Sequence, residues 1–364
     1  MESLITANIR SRPTRTFISI LAIALGVVLM LIIGGITSGT LNDYISRTMG
    51  VGADFILQPG GSSVFYAFSQ AALPVQLARK LMELPGVYAV APVLAKFNQS
   101  DFGLVFGIDL ANYDMFPGRL QVLSGKESLQ DYEVIVDELY AKSHNLSVGM
   151  PLTILGHKFT VSAVCKPGAV VRVFVPIKTL QELNSTPDKA TIMFIKARPD
   201  AKVQEVEKEL RAMLPGYTLT GTRDASLLLS DTKMPGLKEF RFTVVLVSML
   251  LSFMVILLAM YTTIFERTRE IGILKSLGAS RGFIVVMILK ESAMISGLGV
   301  ALGIGISEII RKAIVSAFPT LQVAMTVSDL FNGCLLGVIA GTMGALYPAY
   351  KAARMDPVKA LSYE

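Results

Sequence analysis

The sequence predicts a membrane α+β protein, with four transmembrane helices and one large extracytoplasmic α+β domain inserted between the first and second. Three observations carry this. Hydrophobic residues make up 52% of the 364 residues against 17% charged, and the mean hydropathy is +0.55, too apolar for a soluble chain of this length. Long uncharged runs recur along the chain, and about 20 mostly apolar residues suffice to cross the hydrocarbon. Between the first two runs lie some 200 residues (43–240) that read as a folded domain.

The first span rests on residues 16–42, uncharged throughout, with 17–38 as its membrane core. Its apolar run exceeds a usual signal-peptide core, so a retained signal-anchor is expected in place of a cleaved leader. Residues 242–265 and 330–350, also uncharged, give the second and fourth spans. The third is shorter, with only 292–307 uncharged between Glu291 and Glu308, so Lys290, Glu308, Arg311 and Lys312 are expected at the interfaces or snorkelling, Glu308 pairing locally with Arg311 and Lys312. Its Gly297, Gly299, Gly303 and Gly305 form small-residue ridges suited to close helix packing, and they suggest association between copies.

Orientation follows from the short loops. Arg10, Arg12 and Arg15 precede the first span, Arg267, Arg269, Lys275 and Arg281 separate the second from the third, and Lys351, Arg354 and Lys359 follow the fourth. Both termini are therefore expected in the cytoplasm. The expected divisions are a cytoplasmic amphipathic segment (1–16), spans at 17–42, 241–265, 282–312 and 329–350, the domain with its stalk (43–240), a cytoplasmic helix (266–281), an outer loop (313–328) and a tail (351–364).

In the domain, a strand at 52–58, a helix at 75–84 closed by Pro85-Gly86 and a strand at 87–95 read as a βαβ-like unit. Strands at 133–136, 152–155 and 159–164 follow, the last two joined by a Gly156-His157 turn, and then a strand at 191–196 and a helix at 201–214. Two βα units thus flank an inserted strand-rich piece. Phe55, Phe65, Tyr66 and Phe68 form an apolar stretch read as domain core in preference to a cargo surface.

Composition also excludes functions. The net charge of +6 and pI of about 9.2 come from basic clusters beside apolar runs, not from one patch, so nucleic acid is not an expected partner. Cys165 and Cys334 lie in unlike settings, and His144 and His157 read as surface loop residues without a ligand partner, so neither disulfide nor metal site is expected. No catalytic constellation of Ser/His/Asp, paired carboxylates or metal ligands stands out.

The richest stretch is TIFERTREIGILKSLGAS, ending at Ser280. It reads as a short helix at the inner surface, with Ile271, Leu274 and Leu277 on one face, Ile273 beside them, and Glu266, Arg267, Arg269, Glu270 and Lys275 supplying charge elsewhere. Gly278 suits the helix stop and Ser280 the next N-cap. The run ERTREIGILKSLGAS resembles the motif ERxREIGILKxLGAS that follows the second span in the permease family including MacB, LolC/LolE and FtsX. The start ANIRSRPTRTFISILAIALGVVLML and the end ALYPAYKAARMDPVKALSYE are similar to the family's ends, and VGADFILQPGG, LPGVYAVAPV, FGIDL and VGMPLTILGHKFTVSAV resemble its MacB-like periplasmic core.

The resemblance implies the membrane subunit of a type VII ABC transporter. The loop would be a coupling helix docked on a separate ATPase, with Glu266, Arg267, Arg269, Glu270, Ile271, Gly272, Leu274, Lys275, Gly278, Ala279 and Ser280 in that role. Helical stalk extensions at 41–49 and 233–240 would carry force outward. No GxxxxGK[ST] phosphate loop occurs in the chain, so no cofactor is expected on it, and ATP and Mg belong on the partner ATPase. Further expected partners are a second permease copy, as homodimer or as heterodimer with a paralogue, a periplasmic adaptor and membrane lipids. Expected function is export or extraction of an amphiphile such as a drug, peptide, lipid, lipoprotein or haem. The alternative is FtsX-like signalling to a cell-wall hydrolase, which the size of the external domain disfavours.

Overall fold

The structure is a computed structural model and describes residues 13–62, 72–98, 103–222, 224 and 236–356. The chain forms two compact units, one of residues 1–40, 235–316 and 321–364, the other of 41–234 with 317–320. Helix α1 (Pro13–Gly50) leads from the first into the second without a break, so the expected stalk residues 41–49 are helical. The other stalk segment is described only from Gly236, and the aromatic stretch around Phe65 lies outside the described residues, as does most of the amphipathic segment 1–16.

After α1 the external unit contains β1 (Phe55–Pro59), β2 (Leu73–Pro74), α2 (Gln76–Met82), β3 (Val87–Asn98), β4 (Gly103–Ile108), α3 (Leu110–Tyr113), β5 (Val122–Gly125) and β6 (Glu133–Asp137). It continues with α4 (Glu138–Ser143), β7 (Pro151–Ile154), β8 (His157–Cys165), β9 (Val173–Pro176), α5 (Ile177–Leu183), β10 (Lys189–Ala190), β11 (Ile192–Ala197), α6 (Val203–Met213) and β12 (Tyr217–Gly221). The main sheet runs β12-β1-β11-β3-β4-β9-β6-β8-β5, with β7 added to β8.

This order corrects the βαβ reading. β1 pairs with β11 and β12, not with β3, and β11 is inserted antiparallel between β1 and β3. The two units β1-α2-β3 and β11-α6-β12 are therefore both split and interleaved, which is the ferredoxin-like arrangement. The strand-rich insertion extends the sheet from β3 through β4, so it shares one backbone ladder with the interleaved units.

Strand periodicity divides the core. Ile56, Ala89, Ala91 and Phe194 join Phe106, Tyr113 and Phe174 on one face, while Phe55, Leu57, Val90, Met193 and Ile195 meet Leu81 of α2 and Leu210 of α6 on the other. The tight turn joining β7 to β8 is Leu155-Gly156, both at positive φ (49° and 82°), a type I′ geometry; His157 already belongs to β8, so the turn lies one residue earlier than the sequence suggested. His144 is the exposed C-cap just past α4, and its ring stacks on Tyr140 at 4.1 Å.

The membrane unit adds α7 (Leu237–Glu266), the short α8 (Thr268–Ser276), α9 (Arg281–Ala317) and α10 (Val327–Ala353). With α1, helices α7, α9 and α10 are long and apolar enough to cross a membrane. Helix α10 opens with a Thr326/Asp329 capping box.

These helices meet through small residues. A Cβ on Gly299 would stand 2.7 Å from Ile23, and one on Gly303 would stand 2.9 Å from the Ala24 carbonyl, so α9 and α1 approach backbone to side chain. Gly341 and Gly344 of α10 do the same against Ser296 and against Phe253 and Ile256. Ser292, fully buried, donates to the Gly341 carbonyl at 2.9 Å, a hydrogen bond between helices. A Cβ on Gly297 or Gly305 would meet nothing within 4 Å beyond the helix itself, and both lie on the exposed face of α9. The four glycines are thus two ridges, and the Gly299/Gly303 ridge is consumed within the chain.

Candidate coupling site

Helix α7 ends at Glu266 because Arg267 leaves the helical region, with φ −105° and ψ 15°. Its N–H still reaches the carbonyls of Thr263 and Ile264, and Thr268 returns its hydroxyl to Ile264 and Phe265, so the corner is closed by local hydrogen bonds. Helix α8 starts at once. It stops at Leu277 through a Schellman pair, Gly278 N–H to the Lys275 carbonyl and Ala279 N–H to the Leu274 carbonyl, with Gly278 at φ +93°. The Ser280 hydroxyl then accepts from the Phe283 N–H at 3.2 Å and caps α9.

Two contacts fasten α8 to the other helices. At its start Arg267 donates to Glu291 of α9 at 3.3 Å and to Glu270 at 2.7 Å. Side chains of Arg267 and Glu291 are 13% and 7% exposed, so this is a buried pair. At its end Lys275 donates to the carbonyls of Ala353, at 3.0 Å, and Met355, which close the C-terminus of α10. Nearby, Lys351 donates to the Tyr261 hydroxyl at 2.9 Å and lies over its ring, joining α10 to α7.

The expected site residues therefore separate. Ile271 and Gly272 are buried against a core containing Ile264, Ile284 and Ala349, and Leu274 and Ala279 pack at its edge. Glu266, Arg269, Glu270, Gly278 and Ser280 are exposed. The single apolar face drawn through Ile271, Leu274 and Leu277 is corrected, since Leu277 falls past the helix end and is 80% exposed, with Ile273 at 45%. Glu266 and Arg267 are not part of the short helix either: one ends α7 and the other is the corner. Lys275 turns inward to carbonyls, not outward as a surface charge.

Glu291, which in the sequence only bounds the uncharged run of the third span, is buried on Arg267. The available signal was an acid at the edge of an apolar run, following a basic loop.

A second buried ion group lies in the external unit. Arg172 donates to Asp137 at 2.8 Å and to Asp43 at 3.2 Å, and also reaches the Thr320 carbonyl at 3.3 Å. Asp43 in turn pairs with Arg47 at 3.0 Å on α1. Burial raises the Asp137 carboxyl above its ordinary value, against the pull of Arg172 and of the Tyr140 N–H that it caps. Burial, aided by Asp137, likewise pushes the Cys165 thiol up to about 12.

The comparisons with known proteins cover both units. The family described as MacB-like periplasmic core domain matches residues 16–213, and that described as FtsX-like permease C-terminal matches 242–357. The uncharacterized ABC transporter permease YknZ of Bacillus subtilis (strain 168) is 41% identical over 105 residues, covering 29% of this chain and 26% of YknZ. The macrolide export ATP-binding/permease protein MacB 1 of Yersinia pestis bv. Antiqua (strain Antiqua) is 25% identical over 220 residues, covering 59% of this chain and 34% of that protein. The uncharacterized ABC transporter permease YvrN of Bacillus subtilis (strain 168) is 23% identical over 405 residues, covering 98% of each chain.

Proposed function

The chain belongs to the ABC transporter permeases with a MacB-like periplasmic core domain and an FtsX-like C-terminal region, and we propose that it couples ATP hydrolysis on a separate subunit to movement of its extracytoplasmic domain. It is a protein of the inner membrane, with four apolar helices. The output is export or extraction of an amphiphilic substrate, for which a macrolide is one probe because of the named activity of the MacB relative.

The observation that carries this reading is the fastening of α8. A helix that only lined a loop would need neither the Arg267–Glu291 pair nor the Lys275 contacts to α10. Held at both ends, α8 cannot be pushed without moving α9 and α10, while Arg269, Glu270, Ile273 and Leu277 remain outside for a partner. ATP and Mg are bound by that partner ATPase, and both termini lie on its side of the membrane. A second permease copy completes the assembly, for which α7 leaves Leu246, Leu250 and Leu258 uncovered. A MacB-like core domain matched over 16–213 favours transport over signalling to a hydrolase.

The test is co-purification with the host's ABC ATPase subunit after replacing Arg269, Glu270 and Leu277 together. Loss of the ATPase from a folded, membrane-inserted permease is expected. Retention of full binding would remove α8 from the docking role. ATP turnover by the assembled pair is then measured against macrolides, phospholipids, lipoproteins, peptides and haem.

A further inference from the structure

Between α9 and α10 a cleft of about 390 Å³ is lined by Ile304, Glu308, Arg311, Met325 and Leu330. Its size falls in the range of roughly 300–1,000 Å³ typical of small-molecule sites. Ile304, Glu308 and Arg311 are spaced four and three residues apart, so they share one face of α9. Met325, in the connection just before the Thr326 N-cap, and Leu330, in the first turn of α10, supply an apolar opposite wall.

Charge is confined to one end. Arg311 donates twice to Glu308, at 2.8 and 2.6 Å, and Lys312 lies 3.9 Å from the same carboxylate. These side chains stay reachable, at 43% exposure for Glu308, 34% for Arg311 and 73% for Lys312. No charged residue occurs from Ala313 through Ser328, and the remaining nearby acid, Asp329, is engaged by Thr326 in the capping box. The mouth thus offers two cations and one carboxylate beside an apolar trough, on helices built to face lipid.

We propose that this cleft holds one zwitterionic glycerophospholipid from the leaflet on the side of the α9–α10 connection. Its phosphate pairs with Arg311 and Lys312, its ammonium group with Glu308, and one acyl chain lies along Ile304, Met325 and Leu330. Charge complementarity selects the occupant: a zwitterionic headgroup matches both signs of the Glu308, Arg311 and Lys312 group, whereas an uncharged molecule matches neither and an anionic headgroup offers no cation to Glu308. The site is independent of ATPase coupling, so it is tested without the ATPase.

The experiment uses the full chain in a mild detergent. Native mass spectrometry follows titration with palmitoyl-oleoyl phosphatidylethanolamine, phosphatidylcholine and phosphatidylglycerol. One tightly held phosphatidylethanolamine is expected, with affinity about tenfold weaker in the Arg311→Gln/Lys312→Gln variant. Because that variant could unfold locally, the unaltered chain is also photolabelled with a phosphatidylethanolamine bearing an acyl diazirine, and the label is expected on the peptide containing Met325 and Leu330. Equal retention of all three lipids with label scattered over the helices would mean annular lipid only and overturn the site. Preference for phosphatidylglycerol would overturn the zwitterionic assignment.

Discussion

Arg267 and Glu291 stand 24 residues apart in the chain and 3.3 Å apart in space, an ion pair that locks the corner between α7 and α8 onto α9. Both side chains are largely buried, so removing one strands the other charge. Glu291→Ala or Arg267→Met alone is expected to destabilise the chain by about 3 kcal/mol, while Arg267→Met with Glu291→Met together regains most of the loss. Thermal unfolding of the detergent-solubilised chain in a double-mutant cycle measures this. Strictly additive losses would show that the pair is not coupled. Glu270→Gln, removing the exposed partner of Arg267, is expected to cost only about 0.5 kcal/mol.

Lys275 and Leu277 are two residues apart and predict opposite phenotypes. Lys275→Met leaves the Ala353 and Met355 carbonyls without their donor and should lower stability by about 1–2 kcal/mol. Leu277→Ala, at an 80% exposed position, should leave unfolding unchanged and weaken ATPase binding. Unfolding curves and ATPase pull-down on the same two preparations separate the effects. A stability loss in Leu277→Ala equal to that of Lys275→Met would contradict the division.

The two glycine ridges of α9 also part company. Gly303→Leu drives a side chain into Ala24 and Val27 of α1 and should cost at least about 1–3 kcal/mol. Gly297→Ala meets nothing within 4 Å and should gain up to about 1 kcal/mol of helix propensity. Unfolding temperature reads both. A Gly297→Ala loss comparable to that of Gly303→Leu would mean that the open ridge is covered by another chain, which size-exclusion chromatography with light scattering would reveal.

The two pairs of residues also show what the sequence could and could not tell. The spans were legible because charge is excluded from hydrocarbon, so runs such as 242–265 announce themselves. The α8 stop was legible because Gly278 has few alternatives at positive φ. The partners of Arg267 and Lys275 were not, since they lie on α9 and α10 and only packing brings them near. Glu291 gave no signal of its role for the same reason: an acid beside an apolar run looks the same whether it faces headgroups or a buried arginine. The external sheet followed this pattern. Strand–helix–strand order was visible, but nothing in β1, α2 and β3 shows that β11 inserts between the two strands.

Arg172 joins Asp137 of β6 to Asp43 of α1, and its loss should be felt through acid–base behaviour. With Arg172→Met, the Asp137 carboxyl loses the cation that opposes burial and titrates still higher. A carboxyl raised in the folded state binds its proton there first, so it adds stability at low pH that is lost as pH rises above the ordinary value of 3.8. The variant is therefore expected to lose stability on going from acid to neutral pH more steeply than the parent. Unfolding temperature against pH for both proteins checks the slope, and parallel curves would show that Arg172 does not hold Asp137.

Cys165 gives the complementary alkaline prediction. Its thiol is buried in β8, and burial together with Asp137 moves it from 9.0 to about 12, so the folded protein keeps the proton over a range in which the unfolded chain loses it. Stability from this group is present below the ordinary thiol value and falls as pH rises from there towards 12. Because the thiolate is the nucleophile, a water-soluble maleimide at mildly alkaline pH should label Cys165 at least about tenfold more slowly in the folded chain than after denaturation. Peptide mapping assigns the adduct to Cys165 or to Cys334. Rapid labelling of Cys165 in the folded protein would mean that β8 opens to solvent and that the sheet is looser there than its packing implies.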